Sequence, residues 1–177
     1  AKRALRRSSI GTDWNVSADA RIDIIRGTDI SGEAHYISLH EPRGTDLTGG
    51  LVAGDPAEPT GLSRAGFSGE FGHIINRLRL SVGGSLDEID YEDTPRVPPA
   101  VPSVVNNDDR DRTVAELFAK ASIEATEDTA VFLRGSWNQH DFDTAVDDDG
   151  FNRDSDGWGV AAGLAFSMTH VLVGDVF

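Results

Sequence analysis

From Ile10 to Ile24 apolar and polar positions alternate. Even positions carry Ile10, Thr12, Trp14, Val16, Ala18, Ala20, Ile22 and Ile24. Odd positions carry Gly11, Asp13, Asn15, Ser17, Asp19, Arg21 and Asp23. Successive side chains of a strand point to opposite faces, so the segment predicts a strand with one apolar and one charged face. At about fifteen residues it far exceeds the usual five or six. The same period recurs along the chain. Ile30, Gly32, Ala34 and Tyr36 alternate with Asp29, Ser31, Glu33 and His35 over a strand from about Asp29 to Ser38. Ala65, Phe67, Gly69 and Phe71 alternate with Arg64, Gly66, Ser68 and Glu70, and Leu78, Leu80, Val82, Gly84 and Leu86 with Arg79, Ser81, Gly83, Ser85 and Asp87. Further apolar stripes run Ala115 to Ala125, Val131 to Trp137 and Trp158 to Met168, before a last segment Val171–Phe177.

The connections alternate in length. Short turns fall around Arg26–Thr28, His73–Arg77, Glu127-Asp128-Thr129 and Thr169. Long polar loops run from about Glu41 to Gly61, rich in Gly, Pro, Asp and Thr, from about Glu92 to Arg112, with four prolines and a charged end, and over the acidic stretch Asp143 to Asp156. Two-faced strands with terse turns at one end and long loops at the other predict an all-β fold, an antiparallel up-and-down transmembrane β-barrel with about eight strands seen. The competing class is a soluble secreted β-sandwich or adhesin-like module, which also alternates but has no reason to keep one end terse. Ala115–Ala125 is rich in helix formers. Its strict alternation and the tight turn after it select a strand.

Aromatic residues support two membrane interfaces. Trp14, Trp137 and Trp158 sit toward the long-loop ends on the apolar face, and Phe71 and Phe166 toward the short-turn ends, as girdle residues would. The opposite face carries Asp13, Asp19, Arg21, Asp23, Arg64, Glu70, Arg79, Glu116, Lys120, Glu124 and Arg134, predicted to line a wet lumen where mixed charges stay hydrated or pair across strands. Phe118 and Phe132 share that face. They either fill the lumen or mark a register shift.

Composition narrows the function classes. The chain has 177 residues, enough for a single domain, with 30 acidic against 16 basic residues and a formal charge of −14. That balance argues against a nucleic-acid partner. There is no cysteine, hence no disulfide or thiolate chemistry. No apolar run approaches the roughly eighteen residues of a membrane helix, which a barrel does not need. The basic start, Lys2, Arg3, Arg6 and Arg7, lacks the apolar core of a signal peptide and reads as a solvated end. His35, His40, His73, His140 and His170 have no metal-ligand spacing, and no nucleophile elbow, phosphate loop or zincin motif is present, so no enzyme is expected. Asn152, Asp154 and Asp156 followed by Gly157 have the spacing that opens a calcium loop. The twelfth position is Gly163 rather than a bidentate Glu, so at most weak calcium or magnesium binding is expected there, and no other cofactor.

Several pieces carry a family likeness: Asn106-Asn107-Asp108-Asp109-Arg110-Asp111, Val131-Phe132-Leu133-Arg134-Gly135-Ser136-Trp137-Asn138, Asn152-Arg153-Asp154-Ser155-Asp156-Gly157 and Val173-Gly174-Asp175-Val176-Phe177. With them the stretch from Asn106 onward resembles the β-barrel porins of Gram-negative outer membranes, in particular a family found in proteobacteria. The resemblance implies a barrel in the outer membrane, surrounded by lipid and lipopolysaccharide, able to oligomerise. It implies a passive channel for small solutes, with exopolysaccharide secretion as the alternative, because some relatives belong to such loci. It carries over no site residue. Two features depart from a complete barrel: Asp175 stands where an apolar residue is expected, and the last segment, about seven residues, falls short of the nine to eleven needed to span. Short turns on the periplasmic side would also leave Ala1 on the outer side. Residues 1–177 therefore read as one barrel domain, incomplete at both ends.

Overall fold

The computed structural model describes residues 13–41, 56–99, 103–147, 149–169 and 172–176. The strands are β1 (Trp14–Ile25), β2 (Thr28–His40), β3 (Gly61–Ile75), β4 (Leu78–Tyr91), β5 (Thr94–Pro95), β6 (Val104–Val105), β7 (Arg112–Thr126), β8 (Thr129–Phe142), β9 (Ser155–Thr169) and β10 (Leu172–Val176). Eight of them form one antiparallel sheet in the order β1-β2-β3-β4-β7-β8-β9-β10, while β5 and β6 pair separately. Each long strand hydrogen-bonds to its sequence neighbour, the up-and-down order predicted from the connections. Among the described residues the sheet is open, with β1 and β10 at its two edges.

The turns explain the regular register. Gly27 (φ 79°) and Asn76 (φ 58°) supply the left-handed backbone that two-residue hairpins demand. The turn expected over His73–Arg77 is tighter, because β3 continues through Ile75 and leaves only Asn76 and Arg77. Register shifts at Asp23/Ile25, Glu124/Thr126 and Leu172/Val173 all lie beside short turns, where a bulge bends the strand without disturbing its centre. In the centre the pairing is unbroken from Arg112↔Phe142 to Glu124↔Ala130, so Phe118 and Phe132 mark no register shift. β7 is a strand despite its helix formers, because β4 and β8 satisfy its backbone on both sides.

Burial is inverted relative to a soluble domain. Among the described residues Phe132, 5% exposed, is the one buried hydrophobic side chain, and it lies on the charged face. Trp14, Val16, Ile22, Phe67, Val82, Leu117, Leu133 and Trp158 are all exposed. A β-sandwich needs a second sheet against the apolar face, and the only other sheet described is the two-stranded β5–β6. The sandwich expectation fails on that point. Ile10 to Thr12, the basic run Lys2 to Arg7, most of the first long loop and Phe177 lie outside the described residues. In the ladder Asp175 pairs with Ala165.

Candidate functional site

The cross-strand register sorts every side chain onto one face or the other. Trp14, Tyr36, Phe67, Phe71, Val82, Leu86, Leu117, Leu133, Trp137 and Trp158 share the apolar face. Trp14 stacks on Tyr36 with ring centroids 5.0 Å apart, and Trp137 is paired directly with Trp158 in the half of the sheet nearest the long loops. Phe71 pairs with Ile30 and Val82, and Phe166 with Thr129 at the opposite end. The five predicted girdle residues thus occupy two levels of one face.

The other face is a charged layer organised in three clusters. In the first, Arg79 Nη1 and Nη2 reach Asp29 at 3.1 Å, Arg21 reaches the same carboxylate at 3.5 Å, and Glu70 lies 3.7 Å from Arg79. In the second, Arg64 Nε donates to Asp87 Oδ1 at 2.9 Å, and His35 Nε2 stands 2.9 Å from the same oxygen. In the third, Arg134 Nη2 donates to Glu116 at 2.6 Å with its guanidinium 4.3 Å over the Phe118 ring, while the Lys120 ammonium lies 4.4 Å over Phe132. The two aromatics are therefore platforms for cations. Asp29 and Asp87 are buried, so each carboxylate depends on its arginine for the solvation it has lost.

Glycine makes room for these pairs. A Cβ on Gly66 would strike the Asp87 carboxylate and the His35 ring, and one on Gly72 would strike the Arg79 guanidinium. Gly83 leaves space for the Phe118 ring in the same way. Between the clusters the sheet curls around a cavity of about 380 Å³, whose wall includes Asp19, Arg21, Glu33, Ser68, Glu70, Ser85, Glu116, Phe118 and Arg134 from six strands. Of the predicted charged residues, Asp13 lies apart at the long-loop end, where its Oδ1 is 2.8 Å from His40 Nδ1. Glu124 lies at the opposite rim, its backbone N–H donating to Arg77 O.

A family comparison decides the class. The family described as "Putative beta-barrel porin 2" matches residues 6–177, nearly the whole chain. The chain belongs to this porin family. No curated protein and no solved structure matches it. Family membership and the open antiparallel sheet agree that the described strands are the wall of a β-barrel.

The long-loop end of this porin-family sheet is ordered by side chains. Arg110, in a 3₁₀ turn (Asp108–Arg110), donates from Nη1 and Nη2 to Glu41 Oε2 and Oε1 at 3.0 and 2.5 Å. Its guanidinium also lies 3.8 Å over the Tyr91 ring. The Asp111 carboxylate accepts the Tyr91 N–H at 2.6 Å; burial raises its pKa, and Asp90, Asp108 and Asp143 add to the effect against that hydrogen bond. In the third loop Asp147 accepts the backbone N–H groups of Phe151 (2.8 Å) and Asp149 (3.0 Å) and the Nε–H of Arg153 (2.7 Å). The Phe151 hydrogen bond first, and Arg153 after it, hold the Asp147 carboxyl below the usual carboxylate range.

The residues of the predicted calcium loop have structural partners. Asn152 Oδ1 accepts the Asp154 N–H, Asp154 Oδ1 accepts the Phe142 N–H, and Asp156 of β9 stands opposite Gln139 of β8 in the ladder. Among the described residues no group of three acidic, histidine or cysteine side chains is placed to hold a metal. Sequence reasoning put Asp29, His35 and Asp87 on the charged face but did not single them out as the anchors of the clusters. Strand parity and opposite charge at cross-strand positions were the available signal. Glu41 and Arg110 carried none, because loop contacts have no period.

Proposed function

We propose that this chain forms the wall of an outer-membrane porin whose charged face lines a passive aqueous path for small solutes. The observation that carries the reading is the inverted burial: exposed Trp, Leu, Val and Phe side chains on one face of a single sheet, and paired charges around a cavity on the other. Only a hydrocarbon surrounding makes that apolar face favourable, at roughly 25 cal/mol per Å² kept from water. Lipid and lipopolysaccharide would pack against it, and solutes would meet the arginine–carboxylate clusters. Exposed Asp108, Asp143 and Asp149 at the long-loop end give the mouth a negative potential, which favours cations.

Planar-bilayer recording of the full-length protein tests this. Discrete conductance with cation preference is expected. Absence of conductance, or a clear preference for anions, would sink the channel reading and bring an anchoring or assembly role forward.

A further inference from the structure

We propose that the short-turn end of the apolar face is a seat for one anionic phospholipid, its phosphate held by His73 and Arg77 and the start of an acyl chain lying in the cleft beside Phe71. The proposal rests on the reading that the apolar face meets lipid. The cleft has a volume of about 510 Å³, and its wall includes Thr28, Phe71, His73, Leu80 and Val82. Register puts these residues on one face. His73 stands opposite Thr28 of β2 and Leu80 of β4, and Phe71 opposite Ile30 and Val82. Phe71 is one of the girdle residues, so the cleft opens at the level where headgroups meet hydrocarbon.

His73 is the polar exception in the β3 stripe of Ala65, Phe67, Gly69, Phe71 and Ile75. Its Nδ1 lies 2.7 Å from Oγ1 of the buried Thr28. With the Thr28 hydroxyl donating, the neutral ring carries its hydrogen on Nε2. Among the described residues no side chain accepts it. A donor turned toward hydrocarbon without an acceptor is costly, and at this depth a lipid phosphate supplies one. Arg77 adds the charge. It lies in the β3–β4 turn, exposed and with no side-chain partner among the described residues. His73 is two residues before Ile75, the last ladder position of β3, or about 7 Å along the strand. A guanidinium on a flexible stem covers that distance along the membrane surface. Glu124, whose backbone N–H donates to Arg77 O, belongs to the charged face and leaves the lipid side to the cation. A cation and a ring N–H at the membrane surface suit a phosphodiester. Short turns of outer-membrane barrels lie on the periplasmic side, where the leaflet is phospholipid. Arg26, in the neighbouring short turn, borders a separate cleft with Arg21, Asp29 and Arg79 of the charged face and is not part of the seat.

Photolabelling of the full-length protein in proteoliposomes tests this. The probes are phosphatidylglycerol and phosphatidylcholine, each with a diazirine on an early acyl carbon, and cross-linked peptides are mapped. Phosphatidylglycerol is expected to label Phe71–Val82 several-fold more than the apolar face of the other strands, and phosphatidylcholine to label the whole face evenly. His73→Phe combined with Thr28→Val, and Arg77→Gln alone, should each reduce the phosphatidylglycerol excess to the phosphatidylcholine level, while Arg26→Gln leaves it unchanged. Arg77→Gln sits in an exposed turn outside the ladder, so it decides the matter should the double variant not fold. Even labelling by both lipids, an excess that survives Arg77→Gln, or an equal loss with Arg26→Gln overturns the seat while the face still meets lipid. Absence of lipid labelling anywhere on the apolar face removes the lipid-facing reading along with the seat.

Discussion

At Gly66 the missing side chain is what allows three ionisable groups to meet. Asp87 is held between Arg64 and His35 with its carboxylate buried, and a methyl group at position 66 would collide with that carboxylate. Gly66→Ala is expected to lower stability by about 1–3 kcal/mol, as overpacking does. Gly135 on the apolar face has nothing within 4 Å of the corresponding position, so Gly135→Ala should stay within about 0.5 kcal/mol. Guanidinium unfolding in detergent micelles, followed by tryptophan fluorescence, separates the two. At Asp147 the lowered pKa fixes a sign. Its contribution is fully present above the unfolded carboxyl value, about 3.9, and is lost as pH falls through the lower folded value. Amide exchange at Phe151 should therefore stay protected from pH 7 to pH 5, with pKa-controlled loss only in stronger acid. Loss of protection already near pH 6 would contradict the assignment.

Between strands, the decisive property is which face a position takes. Leu133 and Ser136 are three residues apart in β8, on opposite faces. Leu133 is 55% exposed and pairs with Ala121 and Ala162 in the middle of the apolar band. An arginine there meets hydrocarbon, so Leu133→Arg should cost about 2–4 kcal/mol in refolding into lipid vesicles. Ser136→Arg faces the hydrated side and should cost less than about 1 kcal/mol. Equal costs at the two positions would reject the two-faced reading of the strand. The long strands also reach beyond the hydrocarbon: fifteen residues of β3 or β9 exceed the nine to eleven needed to span, leaving their ends for the loop contacts.

For the whole molecule, the proposed function requires the apolar face to meet lipid. Trp158 is 82% exposed on that face, opposite Trp137. Lipids brominated near the headgroup should quench its fluorescence strongly, and Trp158→Phe should remove its share of the quenched component, leaving that of Trp14 and Trp137 on the same face. Quenching by an aqueous quencher instead would place this face in water.

The alternation of residues determined strand existence, face and antiparallel order, because a period of two and a two-residue turn are local properties. It also placed Arg21, Arg64, Glu70, Arg79, Glu116 and Arg134 on one face. The sequence did not show which charges pair. Asp29 joins Arg79 across 50 positions, and Asp87 joins Arg64 of the neighbouring strand and His35 of the strand beyond it, pairings set by register and by the space left at Gly66 and Gly72. The loops were least legible. Their residues have no repeating face, so Arg110 on Tyr91 and Glu41, and Arg153 between Asp109 and Asp147, follow only from where the tertiary fold brings the strand ends. Local periodicity determines a sheet; long-range contacts decide how its loops and strand ends are tied together.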